Sequence, residues 1–341
     1  MKKLILACLL SGTSLAACAA LAARLPQATV TLPGGQREIG FDDIGYVATL
    51  HRITIPAGAT GNLVLLDPVN DALMTIPGVS TPSADGKSRR EGTTSATYAE
   101  GFLFASDHDP DEIVAIDPTT RAIVDRTPLA SGPDYVRYVA RTHEIWVTEP
   151  GRQQIQVFKL ALSPRPVLTP ATVISIPGGP ESLEIDNQRN RAYSNLWQGK
   201  TVAMALTTHK VLAEWPDTCK RPHGIALDAA HDHVFVGCGN GKVVTLAPAA
   251  SGKVLASAQA GAGIDSISYS PRLHHLYVPG ARAATLTVLD VSASGALEPV
   301  AVYQTAAHAH CVTNDDAGHV FVCAPTSGQI LKIDDRRVAA P

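Results

Sequence analysis

The run Arg221-Pro222-His223-Gly224-Ile225-Ala226-Leu227-Asp228, followed after a polar gap by Val234-Phe235-Val236-Gly237-Cys238, decides how the rest of the chain is read. A short apolar stretch, a turn of Asp, Ala and His, and a second apolar stretch form the pattern of two strands joined by a hairpin. The second stretch lacks a polar face, as expected of a strand covered on both sides. The pair recurs. Gly132-Pro133-Asp134-Tyr135-Val136 precedes Ile145-Trp146-Val147, and Gly179-Pro180-Glu181-Ser182-Leu183 precedes Ala192-Tyr193-Ser194. Gly263-Ile264-Asp265-Ser266-Ile267 precedes Leu276-Tyr277-Val278, and Ala309-His310-Cys311-Val312 precedes Val320-Phe321-Val322. Carried backwards, the frame reaches Glu91 before Leu103-Phe104 and Asp43 before Ile53-Thr54-Ile55. The marker positions 43, 91, 134, 181, 223, 265 and 310 are spaced by 48, 43, 47, 42, 42 and 45 residues.

A period in the forties with four short strands per unit predicts a β-propeller, one blade per repeat. Third strands are visible in Leu63-Val64-Leu65-Leu66-Asp67 and Leu286-Thr287-Val288-Leu289-Asp290, and fourth strands in Leu73-Met74-Thr75-Ile76 and Val211-Leu212-Ala213-Glu214-Trp215. The expected architecture is all-β: a seven-bladed β-propeller over residues 27–335 with four antiparallel strands per blade. The last repeat stops at Ile330-Leu331-Lys332-Ile333-Asp334, one strand short, while Ala28-Thr29-Val30-Thr31-Leu32 precedes the first repeat without a blade of its own. The N-terminal strand is therefore expected to close the last blade and remove its open edge. The segment 163–170 (SPRPVLTP) reads as a loop lengthening the third blade, and Trp146, Trp197, Trp215 and Tyr277 read as packing between blades.

Pro222-His223-Gly224-Ile225-Ala226-Leu227-Asp228 with Val234-Phe235-Val236-Gly237-Cys238 resembles the repeat of the Tyr-Val-Thr-Asn (YVTN) β-propeller proteins, as do Leu65-Leu66-Asp67-Pro68 and Gly252-Lys253-Val254-Leu255. The resemblance covers nearly the whole mature chain and implies the fold and an exported bacterial protein rather than an activity. One member is described as binding single-stranded DNA. The wider superfamily includes lactonases, a metal-dependent antibiotic lyase and haem-bearing reductases, so the likeness leaves function open.

The 341 residues are 45% hydrophobic and 17% charged, with a formal net charge of −3. That balance supports a folded core and gives no basic footprint for nucleic acid. Lys2 and Lys3 followed by the apolar run Leu4–Leu10 form an export signal over residues 1–17, too short to span a bilayer. Leu15-Ala16-Ala17-Cys18 resembles a lipobox, so Cys18 is expected to be acylated and to begin a linker over residues 18–26. The alternative is cleavage near Ala20-Leu21-Ala22 with loss of Cys18. Ala19 after the cysteine points to an outer-membrane lipoprotein facing the periplasm, attached only through its lipid. Residues 336–341 form a tail, and a monomer is expected. Export permits disulfides among Cys219, Cys238, Cys311 and Cys323. Four cysteines allow three pairings, of which the repeat favours Cys219–Cys238 and Cys311–Cys323.

Neither Gly-x-Ser-x-Gly nor His-Glu-x-x-His occurs. Gly199-Lys200-Thr201 lacks the first glycine of a phosphate loop, and Gly237-Cys238-Gly239-Asn240-Gly241 sits between two strands as a hairpin turn. The chemically informative pattern is the marker itself: Asp43, Glu91, Asp134, Glu181, His223, Asp265 and His310 are all ionisable. Each would start an innermost strand, so the seven are expected to ring one mouth of the central channel. Such a ring suits a polar or cationic ligand. A divalent metal, Ca²⁺, Mg²⁺ or Zn²⁺, is the candidate cofactor, with His223, Asp265, His308 and His310 as candidate ligands. The competing reading is that the same side chains cap the turns on which they sit. A second set, His231, His233, His274, His275 and His319, falls in hairpins at the opposite end, as turn residues or as a zinc or nickel site. The expected function is a non-enzymatic scaffold binding a small molecule or a protein. The alternative is a metal-dependent hydrolase or lyase, which requires three or four ring groups to converge on one point.

Overall fold

The computed structural model describes residues 21–35, 38–81, 92–162 and 165–337. Seven sheets, five of them built of strictly sequential strands and two each joined by an N-terminal strand, are arranged around a central channel as a seven-bladed propeller. Blades 1 to 6 span residues 45–76, 96–128, 136–175, 184–216, 222–259 and 268–304. Blade 7 takes its three inner strands from residues 312–334, and its outer strand is Ala28–Thr31, antiparallel to Gln329–Asp334 with Ala28 opposite Lys332 and Thr31 opposite Gln329. The N-terminal closure read from the sequence is thus present. Val30 and Leu32 are buried in the seam it makes. Within the segment expected to be a linker, Ala23–Arg24 adds a fifth strand, parallel to the outer strand of blade 6 at Val302 and Tyr303.

Burial follows strand position. The second and third strands of each blade lie between neighbouring sheets, so His233–Cys238 and Leu63–Leu66 are buried at every residue. The outer strand Lys253–Gln259 instead alternates between exposed and half-buried, as a half-solvated strand should. The seven apolar clusters each fill one blade-to-blade interface, with Trp146, Phe235 and Phe321 in different ones. Trp197 departs from expectation. It is 51% exposed, because its turn follows the end of the strand Arg191–Leu196 and projects beyond the packed faces.

The third blade also corrects the reading of 163–170. From Pro166 onward this segment is strand: Pro166–Ser175 pairs along Gln154–Leu162, with Pro166 opposite Leu162 and Pro170 opposite Phe158. The prolines are tolerated because the strand is an edge and does not need every N–H for a ladder.

The most regular local feature is the hairpin joining first and second strands. In all seven blades it turns through one left-handed residue, His51, Glu100, His143, Asn190, Asp232, His274 or Asp316, with φ between 50° and 59°. Asn, Asp and His tolerate this region better than most side chains. The histidine content of these hairpins therefore has a conformational cause.

Both expected disulfides form. Cys219–Cys238 and Cys311–Cys323 have Cα separations of 6.0 and 5.5 Å. Two such bonds indicate an oxidising, extracellular-type compartment. No helix among the described residues is long and apolar enough to cross a membrane.

Candidate functional site

The innermost strands all begin at one face of the channel, and this sets the positions of the marker residues. Asp43, Asp134 and Asp265 lie just before Gly45–Val47, Val136–Val139 and Ser268–Ser270, while Glu181 and His310 precede Glu184–Asp186 and Val312–Asn314. His223 is the second residue of Pro222–Asp228. Glu91 and Cys18 lie outside the described residues.

The six described markers do not stand around a wide mouth as equivalents. Two of them work as stitches between blades. Asp43 turns to the guanidinium of Arg137 in blade 3, which donates to Oδ2 at 2.5 Å and to Oδ1 at 3.0 Å. The Ser95 hydroxyl of blade 2 donates to the same carboxylate at 2.6 Å and accepts the Val136 N–H at 3.0 Å. His310 closes the ring between blades 7 and 1. Its Nδ1 lies 2.6 Å from the carbonyl of His308 and its Nε2 lies 2.7 Å from the carbonyl of Phe41.

The others converge. His223 Nδ1 donates to Glu181 Oε1 at 2.6 Å and lies 3.2 Å from Asp265 Oδ1, which links blades 4, 5 and 6. Burial alone would lower the pKa of His223, but the bonds to Asp265 and Glu181 outweigh it and raise it to about 9. Burial pushes Asp265 the other way; the hydrogen bond from His223 and the charge of His310 prevail and hold it below the usual carboxylate range. Opposite stand Asp42 and Asp134, which are hydrogen-bonded to each other. Burial first, and then the charges of the surrounding carboxylates, push both well above the usual carboxylate range. The backbone allows this crowding: a Cβ on Gly224 would stand 2.9 Å from the Asp265 carbonyl, and Asn195 Nδ2 donates to the Gly224 carbonyl at 2.9 Å.

The donor atoms of Glu181, His223 and Asp265 lie within 4.8 Å of one another, as do those of Asp42, Asp265 and His310. Asp265 belongs to both sets. Of the four ligands expected from sequence, His223 and Asp265 sit at this centre, with His223 Nε2 left without a hydrogen-bond partner among the described residues. His310 is close, but both of its nitrogens are turned to carbonyls. The exposed His308 belongs to neither set.

Sequence reading missed three residues. Asp42, not its neighbour Asp43, faces the centre. Arg137 and Glu184 line the channel below it, where a cavity of about 430 Å³ is bounded also by Tyr46, Tyr98 and Tyr135. Both stand three residues after a marker, Asp134 and Glu181. Following each innermost strand one alternation further inward would have exposed them.

Three of the five histidines at the opposite end are held by their own carboxylates, while His233 Nδ1 is buried without a hydrogen-bond partner among the described residues. His231, His275 and His319 donate through Nδ1 to Asp228 at 2.7 Å, Asp335 at 2.6 Å and Asp315 at 2.6 Å. His233 stacks on His231, and His274 lies 3.4 Å from the Tyr269 hydroxyl. None of the five belongs to a group of metal-competent donors among the described residues.

No protein-family model matches the chain. No curated protein is similar to it in sequence. Among solved structures, a chain from a crystal structure of a mitotic checkpoint complex superposes with a TM-score of 0.72 over 97% of this chain and 98% of that one, at 10% identity. At that identity the likeness shows a shared propeller fold and nothing about activity.

Proposed function

We propose that this chain is an exported binding propeller, held at a bacterial outer membrane through acylated Cys18 and related to the YVTN repeat proteins. In this reading the ligand enters at the channel mouth. The observation that supports it is the convergence of Glu181, His223 and Asp265, whose donor atoms lie within 4.8 Å of one another, beside a second set, Asp42, Asp265 and His310, that shares Asp265. Side chains that only cap their own turns would diverge. Here groups from blades 4, 5 and 6 meet instead, with Asp42 of blade 1 reached through Asp265.

The chemistry of the donors favours a divalent cation. Carboxylate oxygens from Asp42, Glu181 and Asp265 suit Ca²⁺, Mg²⁺ or Mn²⁺, and His223 would extend the range to Zn²⁺ through Nε2 only on losing the proton that its raised pKa of about 9 retains. Glu181 holds the Nδ1–H of His223, the arrangement that orients a ligating imidazole. The same convergence supports a second reading, a metal-dependent hydrolase or lyase in which the bound cation activates water. Isothermal titration of the mature protein with Ca²⁺, Mg²⁺, Mn²⁺ and Zn²⁺ tests the binding. Saturable heat with at least one cation, lost in Asp265→Asn, is expected; no heat with any of the four removes this reading. Intact-mass analysis of membrane-extracted protein tests the anchor, with a diacylated mass beginning at Cys18 as the expected result and an unmodified mass beginning beyond it as the contrary one.

A further inference from the structure

Below the mouth, the channel carries one negative group more than its own cation can balance. Arg137 and two carboxyls, Asp43 and Glu184, face the same interior. Asp43 takes the guanidinium with both oxygens, at 2.5 and 3.0 Å, so Arg137 reaches Glu184 through its charge and not through a hydrogen bond. Glu184 lies against the cavity, and among the described residues its hydrogen-bond donor is the Ile185 N–H. Tyr46, Tyr98 and Tyr135 are among the residues that line the same cavity, with Arg137 over Tyr135 at 4.9 Å from the ring centroid. The remaining wall mixes Thr and Ser residues with apolar ones such as Ile44, Ile225, Ile267 and Val312. The volume, about 430 Å³, lies within the common range of small-molecule sites.

From this imbalance we infer that the channel is a second binding site, for a compact organic ammonium ion, with Glu184 as its counter-ion and the three tyrosines as its walls. A carboxylate beside aromatic faces is the arrangement that distinguishes an ammonium group from a neutral molecule of the same shape. An inorganic cation would leave most of the cavity filled with water and make no use of the rings. Asp42, Asp134, Glu181 and Asp265 line the way in, and an acidic mouth raises the local concentration of cations. The site relies on the proposed mouth as its entrance but not on a metal being held there. The shift of Glu184 agrees with the imbalance: burial outweighs the nearby Arg137 charge and raises its pKa to about 7. The other titratable groups facing it are Asp43 and the three tyrosines.

The test uses choline and its uncharged isostere 3,3-dimethylbutan-1-ol as probes, titrated calorimetrically into the mature protein at pH 8.5, where Glu184 is ionised. Choline is expected to bind at least ten-fold more tightly than the alcohol, and to lose at least ten-fold in affinity when the wild-type protein is moved to pH 5.5. Glu184→Gln should lose choline binding at pH 8.5 while keeping its metal response at the mouth. Equal affinity for the two probes, or choline binding unchanged at pH 5.5, overturns the inference, and both comparisons need only the wild-type protein. The mouth reading fails separately, by absence of a metal response that depends on Asp265.

Discussion

Arg137 of blade 3 reaches past blade 2 to the carboxylate of Asp43 in blade 1, and Ser95 of the blade between them donates to the same oxygen from 2.6 Å. One ion pair therefore joins three of the seven blades at the channel wall. The two side chains are 19% and 11% exposed, so their pairing is weakly screened. Removing Arg137 leaves Asp43 as an uncompensated charge, and removing Asp43 leaves Arg137 without its hydrogen-bonded partner, with only the charge of Glu184 nearby. Asp43→Asn or Arg137→Met is expected to cost about 3 kcal/mol or more, read from urea unfolding. The double variant should be more stable than either single one. Additive losses would show that the two residues act independently.

His223 gives the pH dependence a definite sign. Its folded pKa, raised to about 9, lies above the ordinary 6.5. Its ion pairs with Glu181 and Asp265 therefore stabilise the fold fully below pH 6.5, and that stability is lost as pH rises through 9. A loss on the order of 2 kcal/mol between pH 6.5 and 9.5 is expected in wild-type protein. His223→Gln should lack that slope. An unchanged slope in the variant would place its origin elsewhere.

Glu184 acts in a lower window. With its pKa raised from 4.5 to about 7, the folded state favours the protonated carboxyl, and ionisation costs stability as pH rises from 4.5 through 7. Glu184→Gln should match wild type near pH 4 and exceed it at pH 8, by on the order of 1–3 kcal/mol. Thermal melting at the two pH values measures this. A variant less stable than wild type at pH 8 would mean that the ionised carboxylate is already paired.

The two disulfides close short loops, with sequence separations of 19 and 12. Cys219→Ser/Cys238→Ser and Cys311→Ser/Cys323→Ser should each lose about 3 kcal/mol by chemical unfolding. Mixing a reductant with wild-type protein should lower the melting temperature, and no change on full reduction would contradict a stapling role.

Closure of blade 7 is tested at Leu32, which is 2% exposed in the seam between blades 7 and 1. Leu32→Ala should cost about 2–4 kcal/mol. Deleting residues 24–38 should abolish the single cooperative transition. A deletion mutant that melts like the parent would show the N-terminal strand to be an ornament.

The fold was legible because a propeller repeats its constraints. Apolar second strands such as Val234-Phe235-Val236 must be covered on both faces, and that demand recurs once per blade at a nearly fixed interval. The missing strand after Asp334 and the surplus strand at Ala28–Thr31 followed from the same count. The site was legible only in outline. The sequence frame identified the position that starts each innermost strand, yet side-chain direction there changes with one residue, and Asp42 and Asp43 point to different partners. Whether a marker stitches blades, like Asp43 and His310, or faces the centre, like Asp265, depends on residues from other repeats, Arg137 and Phe41, that no local pattern connects to it. Trp197 and the strand starting at Pro166 were misread because local composition spoke against what the edge of a blade tolerates.

The central claim is that the mouth formed by Glu181, His223, Asp265 and Asp42 holds a cation. Anomalous diffraction from crystals of the mature protein grown with Mn²⁺ tests it most directly. A single strong peak is predicted within about 2–2.6 Å of carboxylate oxygens of Asp265 and Glu181. A channel mouth with no anomalous density, or a peak only at the His231 and His275 end, would contradict it.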